Sequence, residues 1–188
     1  MGHYRKTSDD RIWKLGQQKA RSCSENLARE TEKAKKEGIT NKLLNKSLNC
    51  LPNFLGCFPE DQFDNLIINQ FPSFLIANID SQNMRGSHWL AIGIFKNSIE
   101  IFDPLGFTIF NWKRIPCGLL SFLHRMSVTR RVQIAHRIQP DTSHLCGLYC
   151  IFYLILRSIT SLRTILSFFH MLNSKLYKND LILCNFFK

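Results

Sequence analysis

The segment Cys146 to Arg157, CGLYCIFYLILR, is apolar on every face. A helix of that kind has no side to offer to water, so it must run through the middle of a fold with other elements around it. The apolar run from Leu145 to Leu156 is too short to cross a bilayer, which takes about 20 residues. The chain therefore reads as a packed protein built around one central helix, with no membrane partner expected.

The segments that could surround this helix are legible by their periodicity. Ser73 to Ile79 (SFLIANI) and His88 to Phe95 (HWLAIGIF) read as buried strands. Ser98 to Phe102 (SIEIF) follows across a two-residue Lys96-Asn97 link, which predicts a hairpin. Arg130 to Ile138 alternates well enough for a further strand. Asn111 to Met126 reads as helical, disturbed by Pro116. Ser161 to Leu172 places Leu162, Ile165, Leu166, Phe169 and Leu172 on one helical face, and a short helix is expected over Asp180 to Phe187. The architecture predicted is α+β, a small central sheet flanked by helices.

Residues 1–45 differ. Ser24 to Glu37 is rich in helix formers and stops at Gly38, but it has almost no apolar stripe. We expect a basic N-terminal extension over 1–45, partly helical or disordered and outside the core, ahead of a domain over 46–188. The first fifteen residues lack the apolar run of a secretory signal, and Lys6 stands where a myristoylation motif wants Ser or Thr.

The chain of 188 residues suits one domain with a real core, and its hydrophobic content of 45% argues against a disordered body. Its formal charge is +11, spread over both parts: residues 1–50 hold twelve Lys/Arg against six Asp/Glu, and the rest hold thirteen against eight. A basic protein meets polyanions readily, yet such charge also serves a solvated surface. The seven cysteines are odd in number and irregularly spaced, which reads as reduced thiols in an intracellular protein.

Four residues stand out for chemistry. Cys146 follows a loop and opens the apolar helix, where the positive end of the helix dipole favours a thiolate. Structural burial is the commoner fate of a cysteine. His88 sits where a polar loop enters a strand, a place from which a general base can be held rigidly yet reach a cleft. His144 is its rival, two residues from Cys146. Asp103 ends the second strand of the expected hairpin, which brings it beside His88; Asp before Pro is also ordinary turn chemistry. Gln139 ends the strand before the Cys146 loop, where its amide could meet an oxyanion together with the Cys146 N–H.

The order His-Trp, an acid after a strand, then Gln-x6-Cys-Gly resembles the adenovirus-protease (adenain) and SUMO-protease (ubiquitin-like protease) superfamily. The strings that carry it are GSHWLAIGIF (86–95), IEIFDPLGF (99–107) and IQPDTSHLCGLYCIFYL (138–154). NFLGCFPEDQF (53–63) and NDLILCNFF (179–187) look like the adenovirus-type branch, which includes relatives in virus-like DNA transposons. The resemblance covers roughly residues 45–188. It implies a papain-like cysteine protease core with His88 as general base, Asp103 as its orienter, Cys146 as nucleophile and Gln139 as oxyanion donor. Trp89 would pack near the cleft. Asp103 departs from the Glu common in adenoviral enzymes and agrees with the SUMO proteases.

The resemblance further implies cleavage of viral or transposon structural precursors through a thioester, in the nucleus, the cytoplasm or a virion. It implies assistance by DNA and by a short disulfide-pairing peptide; Cys117 is the nearest position for such a pairing, at the wrong spacing, and the sequence itself requires no cofactor. Three alternatives stay open: an isopeptidase for ubiquitin-like conjugates, a non-catalytic basic nucleic-acid-binding protein, and a zinc site from His144, Cys146 and Cys150, which lacks the second ligand pair that structural zinc wants.

Overall fold

A computed structural model describes residues 3–24, 27–84, 87–106 and 115–188. Five strands form one mixed sheet in the order β1 (Phe54–Phe58), β2 (Ser73–Asn78), β3 (Trp89–Ile94), β4 (Ser98–Phe102) and β5 (Arg131–Ile134). The two outer pairs are parallel and the inner pairs antiparallel. The helices are α1 (His3–Cys23), α2 (Leu27–Glu37), α3 (Asn41–Leu48), α4 (Cys117–Ser127), α5 (Cys146–Arg157), α6 (Leu162–Ser167) and α7 (Asn179–Phe186).

The sheet is buried on both faces: every position of β2 and β3 is buried, and most of them are apolar. On one face Leu90, Ile92, Ile99 and Ile101 meet Phe63 and the α4 residues Leu119, Phe122 and Leu123. On the other, Ile76, Trp89, Ala91 and Phe102 meet α5. Helix α5 is the central helix expected, with every residue from Cys146 to Leu156 buried. Each large apolar side chain placed there is worth about 1.5–3 kcal/mol of transfer free energy. The one charged residue on the inner face of β4, Glu100, is neutralised from α5. It takes the Tyr153 hydroxyl at 2.8 Å and Arg157 through Nε at 2.7 Å and Nη2 at 3.0 Å.

The strand and central-helix expectations hold to within a few residues, and β1 is a strand that the periodicity reading did not include. Two helices are shorter than their patterns. Helix α4 starts only at Cys117, because Pro116 disfavours helical backbone at Ile115; residues 111–114 of that expected helix lie outside the described residues. Helix α6 stops at Ser167. Beyond it the backbone of His170 takes its bonds from the Asn179 side chain instead, at 2.8 Å to N and 2.8 Å from O.

The N-terminal region corrects the sequence reading most. Residues 1–45 are not an extension outside the core. Ala20, Leu27, Ala34, Ile39 and Leu44 are buried in the same cluster as α5, and the expected boundary at 45/46 falls inside α3. Helix α1 presents Trp13 to Phe152, Phe168 and Phe186, with centroids 5.1–6.0 Å apart. Gly16 lets the α1 backbone close in: a Cβ there would lie 2.4 Å from Leu156 Cδ2. Nor are all the thiols reduced. Cys23 at the end of α1 and Cys50 just after α3 form a disulfide with Cα atoms 5.2 Å apart. An odd count at irregular spacing gave no hint of this pair, because only the packing of α3 against α1 brings the two positions together.

Candidate active site

The hairpin β3–β4 builds the first half of the site. Ala91 pairs with Phe102, so the residue before β3 and the residue after β4 lie at the same end of the sheet. His88 and Asp103 occupy those two places, and His88 Nε2 lies 2.8 Å from Asp103 Oδ1. The carboxylate is fully buried and is itself oriented, since Oδ1 also accepts the N–H of Leu105 at 3.1 Å and of Gly106 at 3.2 Å. Gly106 closes that turn with φ +71°, and a Cβ there would strike Arg137 Cβ at 2.9 Å.

The second half comes from the loop between β5 and α5. The Pro104 carbonyl, one residue past Asp103, accepts the N–H of Ile138 at 3.0 Å and of Gln139 at 2.9 Å, which ties the acid's turn to the loop carrying Gln139, five residues beyond the end of β5. Cys146 is the first residue of α5, and its side chain acts electrostatically on the His88 imidazole. The ring thus answers to an acid on Nε2 and to a thiol. Burial alone would pull the His88 pKa down; the hydrogen bonds and charges of Asp103 and Cys146 outweigh it and push it up to about 9.

Gln139 is fully buried, and its Nε2 donates to the Ser143 carbonyl at 2.7 Å. That bond orients the amide, because the reverse orientation would set two carbonyl oxygens against each other. One N–H of the same nitrogen remains, while Oε1 has no hydrogen-bond partner among the described residues. The first N–H groups of α5 have no acceptor within their own helix. The thiol of Cys146 thus stands at a helix N-terminus, and the Gln139 amide is held by the loop that leads into it.

Of the four residues singled out by sequence, His88 and Asp103 are bonded to each other, Cys146 acts on the same ring, and Gln139 is joined to the acid's turn through the Pro104 carbonyl. His144 does not take the place of His88: it is exposed, while His88 is buried, bonded to Asp103 and coupled electrostatically to Cys146. Cys150 is wholly buried in α5, and burial pushes its thiol well up. Among the described residues, no three His, Cys, Asp or Glu side chains converge as metal ligands. Cys117 is exposed at the start of α4.

Sequence reasoning missed the cover over the site. Trp89 donates its indole N–H to the Ile39 carbonyl at 3.2 Å. Ile39 also presses on Gly147, where a Cβ would lie 1.8 Å from Ile39 Cγ2. The α2–α3 link thus lies against the residues next to the base and next to the thiol, leaving His88 2% and Cys146 7% exposed. No signal in the chain pointed to Ile39, a lone apolar residue after a polar helix.

Residues 54–166 match the family model described as adenovirus endoprotease. The chain belongs to the adenovirus endoprotease family. Within that family it is similar to the protease of Bovine adenovirus 2, 32% identical over 117 residues, which cover 58% of this chain and 57% of that protein. It is also similar to the protease of Bovine adenovirus C serotype 10, 32% identical over 116 residues, covering 57% of this chain and 59% of that one. The chain thus spans under three fifths of the length of these relatives. The family match takes in all four candidate residues and all five strands, while helices α1 to α3 lie before it.

Proposed function

We propose that this family member is a cysteine endopeptidase that processes viral or transposon structural precursor proteins. Cys146 is the nucleophile, His88 the base, Asp103 its orienter, and Gln139 with the Cys146 N–H the oxyanion donors. The observation that carries the reading is the buried His88 imidazole, bonded to Asp103 and coupled electrostatically to Cys146 at the start of α5.

The chemistry follows from that arrangement. A protonated imidazole beside a thiol offsets the negative charge of the attacking thiolate. The Cys146 sulfur attacks the scissile carbonyl carbon, and the carbonyl electron pair moves onto oxygen, where the two donors receive it. The tetrahedral centre collapses, the C–N bond breaks, and His88 gives its proton to the departing amine. Water then attacks the thioester. His88 takes a proton from the water, and the acid product leaves as the sulfur is regenerated. Asp103 keeps the ring in the required tautomer and steadies its positive charge.

The test is labelling with an electrophilic cysteine probe at pH 6, with mass spectrometry to locate the adduct. Selective labelling of Cys146 that falls in His88→Ala is the expected result; equal, slow labelling of several cysteines would defeat the assignment. Co-expression with the structural precursor proteins of the same virus or transposon tests the substrate class. Cleavage by the wild-type chain and none by Cys146→Ala is expected, and intact precursors beside a reactive Cys146 would turn the search to ubiquitin-like conjugates.

A further inference from the structure

The two oxyanion donors stand at opposite ends of one loop. Gln139 precedes Pro140, and Cys146 follows Leu145, so the shape of the loop sets where the two N–H groups point. Part of that shape is internal. Ser143 N donates to the Pro140 carbonyl at 3.1 Å, and the Ser143 carbonyl accepts Gln139 Nε2 at 2.7 Å.

The rest is imposed from α7, by its first two residues. Asn179 is fully buried and donates Nδ2 at 2.7 Å to the Ile138 carbonyl, the peptide bond that leads into Gln139. Its orientation is locked by its bonds to the His170 backbone. Asp180 holds the other end of the loop. Its Oδ1 accepts the Ser143 hydroxyl at 3.1 Å, and that hydroxyl oxygen accepts the N–H of Leu145 at 3.3 Å. The same Oδ1 takes the Tyr149 hydroxyl at 2.8 Å, one turn into α5. A carboxylate only accepts, so it fixes the direction of both hydroxyls. One helix end thus fastens the backbone just before Gln139, the turn at Ser143 and the helix begun by Cys146.

We infer that Asn179 and Asp180 are positioning residues for the oxyanion hole, acting through the Ile138 carbonyl and through Ser143. This inference rests on the cysteine endopeptidase reading. Neither side chain touches substrate. Their work is to keep Gln139 Nε2 and the Cys146 N–H aimed at one point, and a misplacement of about 1 Å in such a constellation costs on the order of a hundredfold in rate.

The test separates thiol activation from oxyanion binding. Iodoacetamide alkylates Cys146 by displacement at carbon and forms no oxyanion. A short peptide ending in glycinal adds to Cys146 as a hemithioacetal whose oxygen needs both donors; its bare end suits the tight packing of Ile39, Trp89 and Gly147. Full-length Asp180→Ala and Ser143→Ala should be alkylated within about twofold of wild type. Their inhibition constant for the aldehyde should rise roughly 10- to 100-fold, and kcat should fall by a similar factor at unchanged KM. The double variant should be no worse than either single one, because both act on one bond.

Equal loss of alkylation and aldehyde binding would overturn the inference, since it would mean that α7 merely supports the fold. Unchanged aldehyde binding would overturn it as well. If Asp180→Ala does not fold, Ser143→Ala decides alone, since it deletes one half-buried hydroxyl. Failure of the underlying reading looks different: wild-type Cys146 would then react no faster than the exposed Cys117, and the inference would fall with it.

Discussion

His88 gains its proton affinity from two neighbours, and that has a consequence for stability. Its pKa is about 9 in the fold, against 6.5 for a free imidazole. Between those values the folded ring keeps a proton that the unfolded ring has lost. The stabilisation is therefore whole below pH 6.5 and is lost as pH rises through 9. Thermal melts of the wild type should fall between pH 7 and 9.5, and those of Asp103→Asn should fall less. Parallel curves would mean that Asp103 does not hold the charge. Gln139 is the second residue whose role can be isolated. Gln139→Ala removes one oxyanion donor and should lower kcat roughly ten- to a thousandfold, with little change in KM, in steady-state peptide cleavage. Wild-type turnover would take Gln139 out of the site.

At the scale of elements, the junction of α5, β3 and the α2–α3 link is where packing and chemistry share atoms. Gly147 gives up its side chain so that Ile39 can lie over the start of α5, and Ile39 in turn receives the Trp89 indole N–H. In Gly147→Ala the new methyl would sit 1.8 Å from Ile39 Cγ2 and 3.3 Å from Trp89 Cδ1, so the link must shift. Overpacking of this kind costs about 1–3 kcal/mol. The expected result is a lower melting temperature, restored in part by adding Ile39→Ala. A Gly147→Ala protein that melts like the wild type would mean that Ile39 is free to move aside. Elsewhere in the sheet, the hairpin β3–β4 sets the His88–Asp103 distance by register alone, and a slip of one residue would turn every side chain of β3 to the wrong face.

Over the whole molecule, the family match leaves α1 to α3 outside, yet those helices finish the core. Trp13 fits edge-on among Phe168, Phe186 and Phe152, three rings from α5 and the C-terminal region. The Cys23–Cys50 disulfide closes a segment of 27 residues that carries α2, the Ile39 link and α3. Trp13→Ala should cost about 3 kcal/mol in denaturant unfolding, as large aromatic truncations in cores do. A cost under about 0.5 kcal/mol, the usual range for surface changes, would return α1 to the status of an appendage.

The chain by itself determined the strands of the hairpin and the central helix, and it singled out the four residues proposed for the site. Each of these rests on a short-range signal. The inner strands are apolar runs bounded by turns, the helix is apolar all round, and His88, Asp103 and Cys146 mark element ends that periodicity can find. What periodicity could not show is which polar-looking segments are held by others. Helix α1 has too thin an apolar stripe to be read as core, because Gly16 and Ala20 dock through close backbone approach rather than bulk. The Cys23–Cys50 pair, the cover of Ile39 over Gly147, and the Asn179–Asp180 hold on the Gln139 loop join residues 27 to 108 positions apart in the chain, apart from the short bonds inside that loop. Only the tertiary structure decided them, because each depends on two distant backbones reaching the same few ångströms, and no local pattern of residues carries that distance.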